Sequence, residues 1–150
     1  MKTCSGKSGG ADMHDLAFLG GKVFQNGSFE ETNLYVEGER ISEITPEVRE
    51  AKHVVDCQDL MILPGLIDPH VHMELDLGTT KSCDDFYKGS VAALRGGITT
   101  IIDFLAPISH ESQLDEAFRS RLSLAEASHV DYAMHACLGN FQGSVQALVA

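Results

Sequence analysis

The sequence predicts an α/β protein with a β-rich front and an alternating strand–helix back. Two observations carry this. Short apolar runs separated by turn residues fill the stretch from Asp15 to Val55, as in strands joined by hairpins. From Met61 onward, strand-length apolar runs alternate with segments of helical periodicity; alternating βα units imply a parallel sheet, open or closed into a barrel. At 150 residues the chain is the size of one domain and able to bury about 68–70% of its unfolded surface. Hydrophobic residues at 43% and charged residues at 22% exclude a disordered or fibrous protein. The expected organisation is a disordered tail over 1–12, a small β segment over 13–60 and the βα unit over 61–150.

The β segment is read from its turns. Leu16–Leu19 runs into Gly20-Gly21, and Lys22-Val23-Phe24 runs into Asn26-Gly27, a hairpin signal because both turn residues tolerate positive φ. Leu34-Tyr35-Val36 and Arg40–Ile44 flank Glu37-Gly38-Glu39, a second hairpin. His53-Val54-Val55 is a further short strand.

Met61–Ile67 is a continuous apolar run, the pattern of a strand buried on both faces. Ser82-Cys83-Asp84-Asp85 reads as a capping box opening a helix that runs to about Leu94, with Gly96-Gly97 ending it. Ile98–Leu105 is a second buried strand, rich in β-branched residues. Ser112–Asp115 starts a second helix, with Leu114, Phe118, Leu122 and Ala125 as its apolar stripe. His129–Leu138 is a third strand, and Ser144 is placed to cap a third helix.

Eleven basic against 22 acidic residues give a net charge of −11, which argues against nucleic acid or an anionic membrane as partner. No apolar run reaches the roughly 18 residues of a membrane span, and Met1–Gly10 has no apolar signal-peptide core. Cys4, Cys57, Cys83 and Cys137 form no CxxC pair, so the expected setting is reducing and cytoplasmic. Cys57 and Cys137 read as buried small hydrophobes.

The chemistry-bearing stretch is Pro64-Gly65-Leu66-Ile67-Asp68-Pro69-His70-Val71-His72. Residues two apart on a strand share a face, so Asp68, His70 and His72 project together at the strand's end. Two imidazoles on one rigid element can grip one metal ion, without choosing among Zn, Mn, Fe or Ni. Asp68 is a candidate to orient the rings from behind. An isolated His-x-His pair is most often a surface or packing feature; here it closes an apolar strand preceded by a Pro-Gly turn.

PGLIDPHVHMELDLGTT, followed by DDFYKGSVAALRGGITTIIDFLAP, resembles the opening of the cyclic amidohydrolases, and most closely the dihydropyrimidinase and hydantoinase branch. LAFLGGKVFQNGSFEETNLYVEGERISEI resembles that family's N-terminal β segment, so the likeness covers about residues 15 to 138. It implies an N-terminal β-sandwich segment plus the first three strands of a (β/α)8 TIM-type barrel, truncated here. It further implies two divalent metals, usually zinc, held by the His-x-His pair, a carboxylated lysine, two later histidines and an aspartate. Only His70 and His72 match that set; the rest would fall after Ala150, and the chain alone is expected to be incomplete and inactive. The implied reaction is hydrolysis of a cyclic amide by a metal-bridged hydroxide, in a homo-oligomer that is a tetramer in the family.

Dihydroorotases usually carry an arginine just after the histidine pair, to hold a substrate carboxylate. Met73-Glu74-Leu75-Asp76-Leu77 has none, which favours a neutral dihydropyrimidine or hydantoin and leaves allantoinase- or dihydroorotase-like hydrolysis as the alternative. A non-catalytic assembly relative is the other alternative, although such relatives usually lose the metal histidines. Elsewhere the bland readings come first. Glu74 and Asp76 are solvated or capping groups, His53 and His135 are packed and hydrogen-bonded, and His14, His110 and His129 are solvated. Asp103, in a buried strand, needs hydrogen-bond partners.

Overall fold

The computed structural model describes residues 13–76 and 78–144, and the chain divides after Pro64 into two compact units. The expected tail over 1–12 and the helix expected after Ser144 lie outside the described residues.

The first unit is one mixed sheet of β1 (His14–Gln25), β2 (Ser28–Glu37), β3 (Arg40–Thr45), β4 (Ala51–Asp56) and β5 (Met61–Ile62). The order is β3-β2-β1-β4, and β5 also pairs with β1. Asn26 (φ 50°) and Gly27 (φ 84°) close the first hairpin with Gln25 opposite Ser28, and Gly38 (φ 57°) closes the second. Both expected hairpins are present. The two apolar runs expected before Asn26 are one strand, irregular between Phe18 and Gly21. Gly20 takes φ 72° there, and its N–H donates to Asn33 Oδ1 at 2.9 Å. Gly21 is needed for closeness: a Cβ on it would lie 2.6 Å from Ile62 Cδ1. Ala17, Val23, Leu34, Tyr35 and Cys57 are buried. His14 is not solvated as expected. It stacks on Tyr35 with ring centroids 4.8 Å apart, and its Nδ1 lies 2.9 Å from Glu37 Oε1.

The second unit is a parallel sheet in the order β6-β7-β8, formed by β6 (Leu66–Asp68), β7 (Ile98–Phe104) and β8 (Asp131–His135). Helices α1 (Phe86–Arg95) and α2 (Leu114–Ala125) make the two connections. Phe86 of α1, Ile101 of β7 and Ala125 of α2 share a buried cluster with Met73 and Val130. Ile101 and Asp103 of β7 are buried, whereas Thr100, Ile102 and Phe104 alternate with them as half-buried residues.

Several local expectations are corrected. Met61–Ile67 is not one buried strand. Pro64-Gly65 splits it, Met61-Ile62 joins the first sheet and Leu66-Ile67 the second, and Met61 and Ile67 are 63% and 62% exposed. The division therefore falls after Pro64 rather than after Leu60. Ser82 does not cap α1; Asp85 does, accepting from the Lys88 N–H at 2.7 Å. A single 3-10 turn, Glu111–Gln113, precedes α2, and the His110 side chain caps it in a reciprocal box with Gln113. Of the expected α2 stripe only Ala125 is buried. Cys57 is buried as expected, whereas Cys137 is only half-buried.

Candidate metal centre

β6 stops at Asp68 because Pro69 has no N–H to continue the ladder. His70 and His72 thus lie just beyond the strand rather than in it, at the C-terminal end of a parallel strand. The alternation nonetheless survives. Between them Val71 donates its N–H to the Ile102 carbonyl at 3.1 Å, and its side chain packs on the core cluster. The flanking imidazoles point the other way and stay exposed.

The two rings meet edge-on through their Nε2 atoms. His70 Nε2 and His72 Nε2 are 3.2 Å apart, with ring centroids separated by 5.0 Å and planes at 87°. Phe104, at the end of β7, packs against both rings, 4.6 Å from His70 and 4.9 Å from His72. Asp68 does not touch either imidazole ring by hydrogen bond. Its Oδ1 accepts from the His70 backbone N–H at 3.2 Å, a short Asx-type turn that fixes the backbone carrying the ring.

Four further residues support the segment, and sequence reasoning had given none of them that role. The Ser82 hydroxyl donates to the His72 carbonyl at 3.0 Å and accepts from the Leu75 N–H at 2.7 Å. Arg121 of α2 donates to the Met73 carbonyl and to the Asp103 carboxylate. His135 Nε2 lies 2.9 Å from the Pro69 carbonyl, and its ring packs on Phe104 with centroids 4.8 Å apart. Phe104 is the fourth. One of these left a trace in the sequence: a buried Asp103 demands a cationic or donor partner, which Arg121 supplies. Phe104 and His135 end neighbouring parallel strands in direct register.

A cavity of about 470 Å³ opens elsewhere in this unit, with Glu74, Asp76, Lys81, Phe104, Ile108 and Arg121 in its wall. Neither His70 nor His72 lines it. The imidazole pair is the stronger chemical candidate because it brings two metal-binding nitrogens together. Zinc–nitrogen bonds of about 2.0–2.1 Å at a tetrahedral angle put two ligand nitrogens roughly 3.3 Å apart, and the observed 3.2 Å fits that bite. Among the described residues no third His, Cys, Asp or Glu joins the pair to complete a metal-binding group.

Comparison with known proteins gives the family. The Amidohydrolase family matches residues 61–144. The chain is 35% identical over 120 residues to dihydropyrimidinase of Dictyostelium discoideum, covering 79% of this chain and 24% of that protein. It is 30% identical over 132 residues to dihydropyrimidinase of Arabidopsis thaliana, covering 87% of this chain and 24% of that one. The crystal structure of dihydropyrimidinase from Brevibacillus agri superposes with a TM-score of 0.75 at 28% identity, over 83% of this chain and 27% of that one. The chain thus spans about a quarter of the length of these relatives. It belongs to the amidohydrolase family, in the branch of the dihydropyrimidinases and hydantoinases.

Proposed function

We propose that this chain is part of an enzyme that hydrolyses the cyclic amide bond of a dihydropyrimidine or hydantoin, and that His70 and His72 hold a divalent metal, zinc, for that reaction. The 3.2 Å approach of the two Nε2 atoms at the exit of a parallel strand carries the reading, because active sites of strand–helix barrels collect at that end. When bound, the ion supplies Lewis acidity and makes water acidic enough to ionise near neutral pH. The chain's own residues do the rest. His70 and His72 present their Nε2 lone pairs, Asp68 fixes the backbone between them and the strand, and Phe104 gives the pair an apolar wall. The remaining metal ligands have to come from outside the described residues.

In this reading β6, β7 and β8 are the first three strands of a (β/α)8 barrel, and the front sheet is one layer of a β-sandwich. Two parallel strand–helix–strand crossovers support the first. The substrate is a neutral cyclic diamide, supported by the absence of arginine from Met73–Asp76. In this reading the protein is a cytoplasmic homo-oligomer, as the family resemblance implies; among the described residues no helix is long and apolar enough to cross a membrane.

The test is metal content. Zinc bound per chain is expected to fall to background in both His70→Ala and His72→Ala, and hydrolysis of dihydrouracil or hydantoin by the longest protein containing this chain is expected to fall with it. Unchanged metal in either variant overturns the assignment.

A further inference from the structure

The peptide group between Pro69 and His70 is held at both of its polar ends. Its N–H donates to Asp68 Oδ1 at 3.2 Å, and its carbonyl lies 2.9 Å from His135 Nε2. A peptide group is planar, so two bonds on opposite edges fix the orientation of the whole plane and with it the direction in which His70 leaves the backbone. Asp68 is local, two residues away. His135 is not: it stands at the end of β8 and reaches across the end of β7 to the exit of β6.

We propose that His135 is a positioning residue for the imidazole pair, acting through the Pro69 carbonyl; this rests on the reading that His70 and His72 hold a metal ion. Three considerations carry it. A carbonyl only accepts, so the His135 nitrogen facing it must carry the proton, and the neutral ring is the Nε2–H tautomer. A protonated ring nitrogen has no lone pair for a metal, so this contact makes His135 a support and not a ligand through Nε2. Finally, His135 packs on the same Phe104 ring that packs against His70 and His72, so the donor is itself held in place by the group that walls the pair. Groups that orient metal ligands from behind typically change metal affinity 10–100-fold when removed.

The experiment titrates Co²⁺ into the longest protein containing this chain, its His135→Leu and His135→Gln variants, and His70→Ala, each checked for folding by circular dichroism. His135→Leu is expected to weaken Co²⁺ binding about 10–100-fold. His135→Gln keeps an amide donor near the Nε2 position and is expected to recover most of that loss. Unchanged affinity in His135→Leu, or equal losses in the Leu and Gln variants, overturns the proposal. If that unsubstituted protein, with its full ligand set, binds no Co²⁺ through His70, the metal reading fails instead. The clamp is then judged by long-range ¹H–¹⁵N NMR of the same unsubstituted protein, which also serves if His135→Leu does not fold. A proton on His135 Nε2 is expected, and a proton on Nδ1 alone overturns the proposal.

Discussion

Arg121 joins three elements through one guanidinium: it donates to the Asp103 carboxylate on β7 and to the Met73 carbonyl just after His72, and it sits 4.9 Å from the face of Phe86 on α1. The Asp103 side chain is fully buried, and its Oδ1 also accepts from the Phe104 N–H at 2.7 Å. Removing one partner of a buried pair strands the other's charge. Arg121→Leu is therefore expected to lower stability by about 3–5 kcal/mol. Adding Asp103→Asn removes the stranded charge and is expected to recover part of the loss. Urea unfolding of the two variants checks both statements.

Gly65 has no room for a side chain. A Cβ there would lie 2.0 Å from Thr99 Oγ1 and 2.7 Å from Thr99 Cβ. Thr99 is β-branched on a strand and cannot swing away freely. Gly65→Ala is expected to cost about 1–3 kcal/mol through overpacking, and Thr99→Ala in that background, which deletes the two closest atoms, is expected to return part of it. Denaturant midpoints of the single and double variants measure this.

Asp15, on β1, ties the turn of the second hairpin to β4. Its carboxylate accepts from the Gly38 N–H at 2.7 Å and from Lys52 Nζ at 2.6 Å, and these bonds, that from Gly38 first, hold its pKa below the ordinary 3.8. A carboxylate with a lowered folded-state pKa stabilises above its unfolded value, and that contribution is lost as pH falls through the folded one. Asp15→Asn is expected to be less stable than the parent at pH 7, with the difference shrinking as the pH falls below about 4. A difference that stays constant across that range contradicts the assignment.

Cys57 is 4% exposed, and burial, with a smaller contribution from Asp56, pushes its thiol pKa up. Cys83 is exposed. Alkylation is carried by the accessible thiolate, so iodoacetamide is expected to label Cys83 in the folded chain and to reach Cys57 only on unfolding. Mass mapping of a time course distinguishes the two; equal rates would contradict the burial of Cys57.

Turns and the imidazole pair were legible in the sequence because their signals are local. Asn26-Gly27 and Gly38 announce positive φ, and the His70–His72 spacing announces a shared side at a period of two. What was not legible depended on partners far away in the chain. Ser82 carries a capping pattern, yet its hydroxyl is taken by His72 and Leu75, and Asp85 caps the helix instead. Met61–Ile67 is uniformly apolar, and apolarity does not say that Pro64-Gly65 will hand its two ends to different sheets. Asp103 announces that it needs a partner without naming Arg121. Asp68 lies beside the pair as expected, but it grips the His70 N–H rather than a ring.

Because one phenyl ring, Phe104, packs against His70, His72 and His135 at centroid distances of 4.6, 4.9 and 4.8 Å, its magnetic anisotropy falls on all three imidazoles at once. A fluorine carried by that ring becomes a single observer of the whole cluster, registering a tilt of any of the three without a label on any of them.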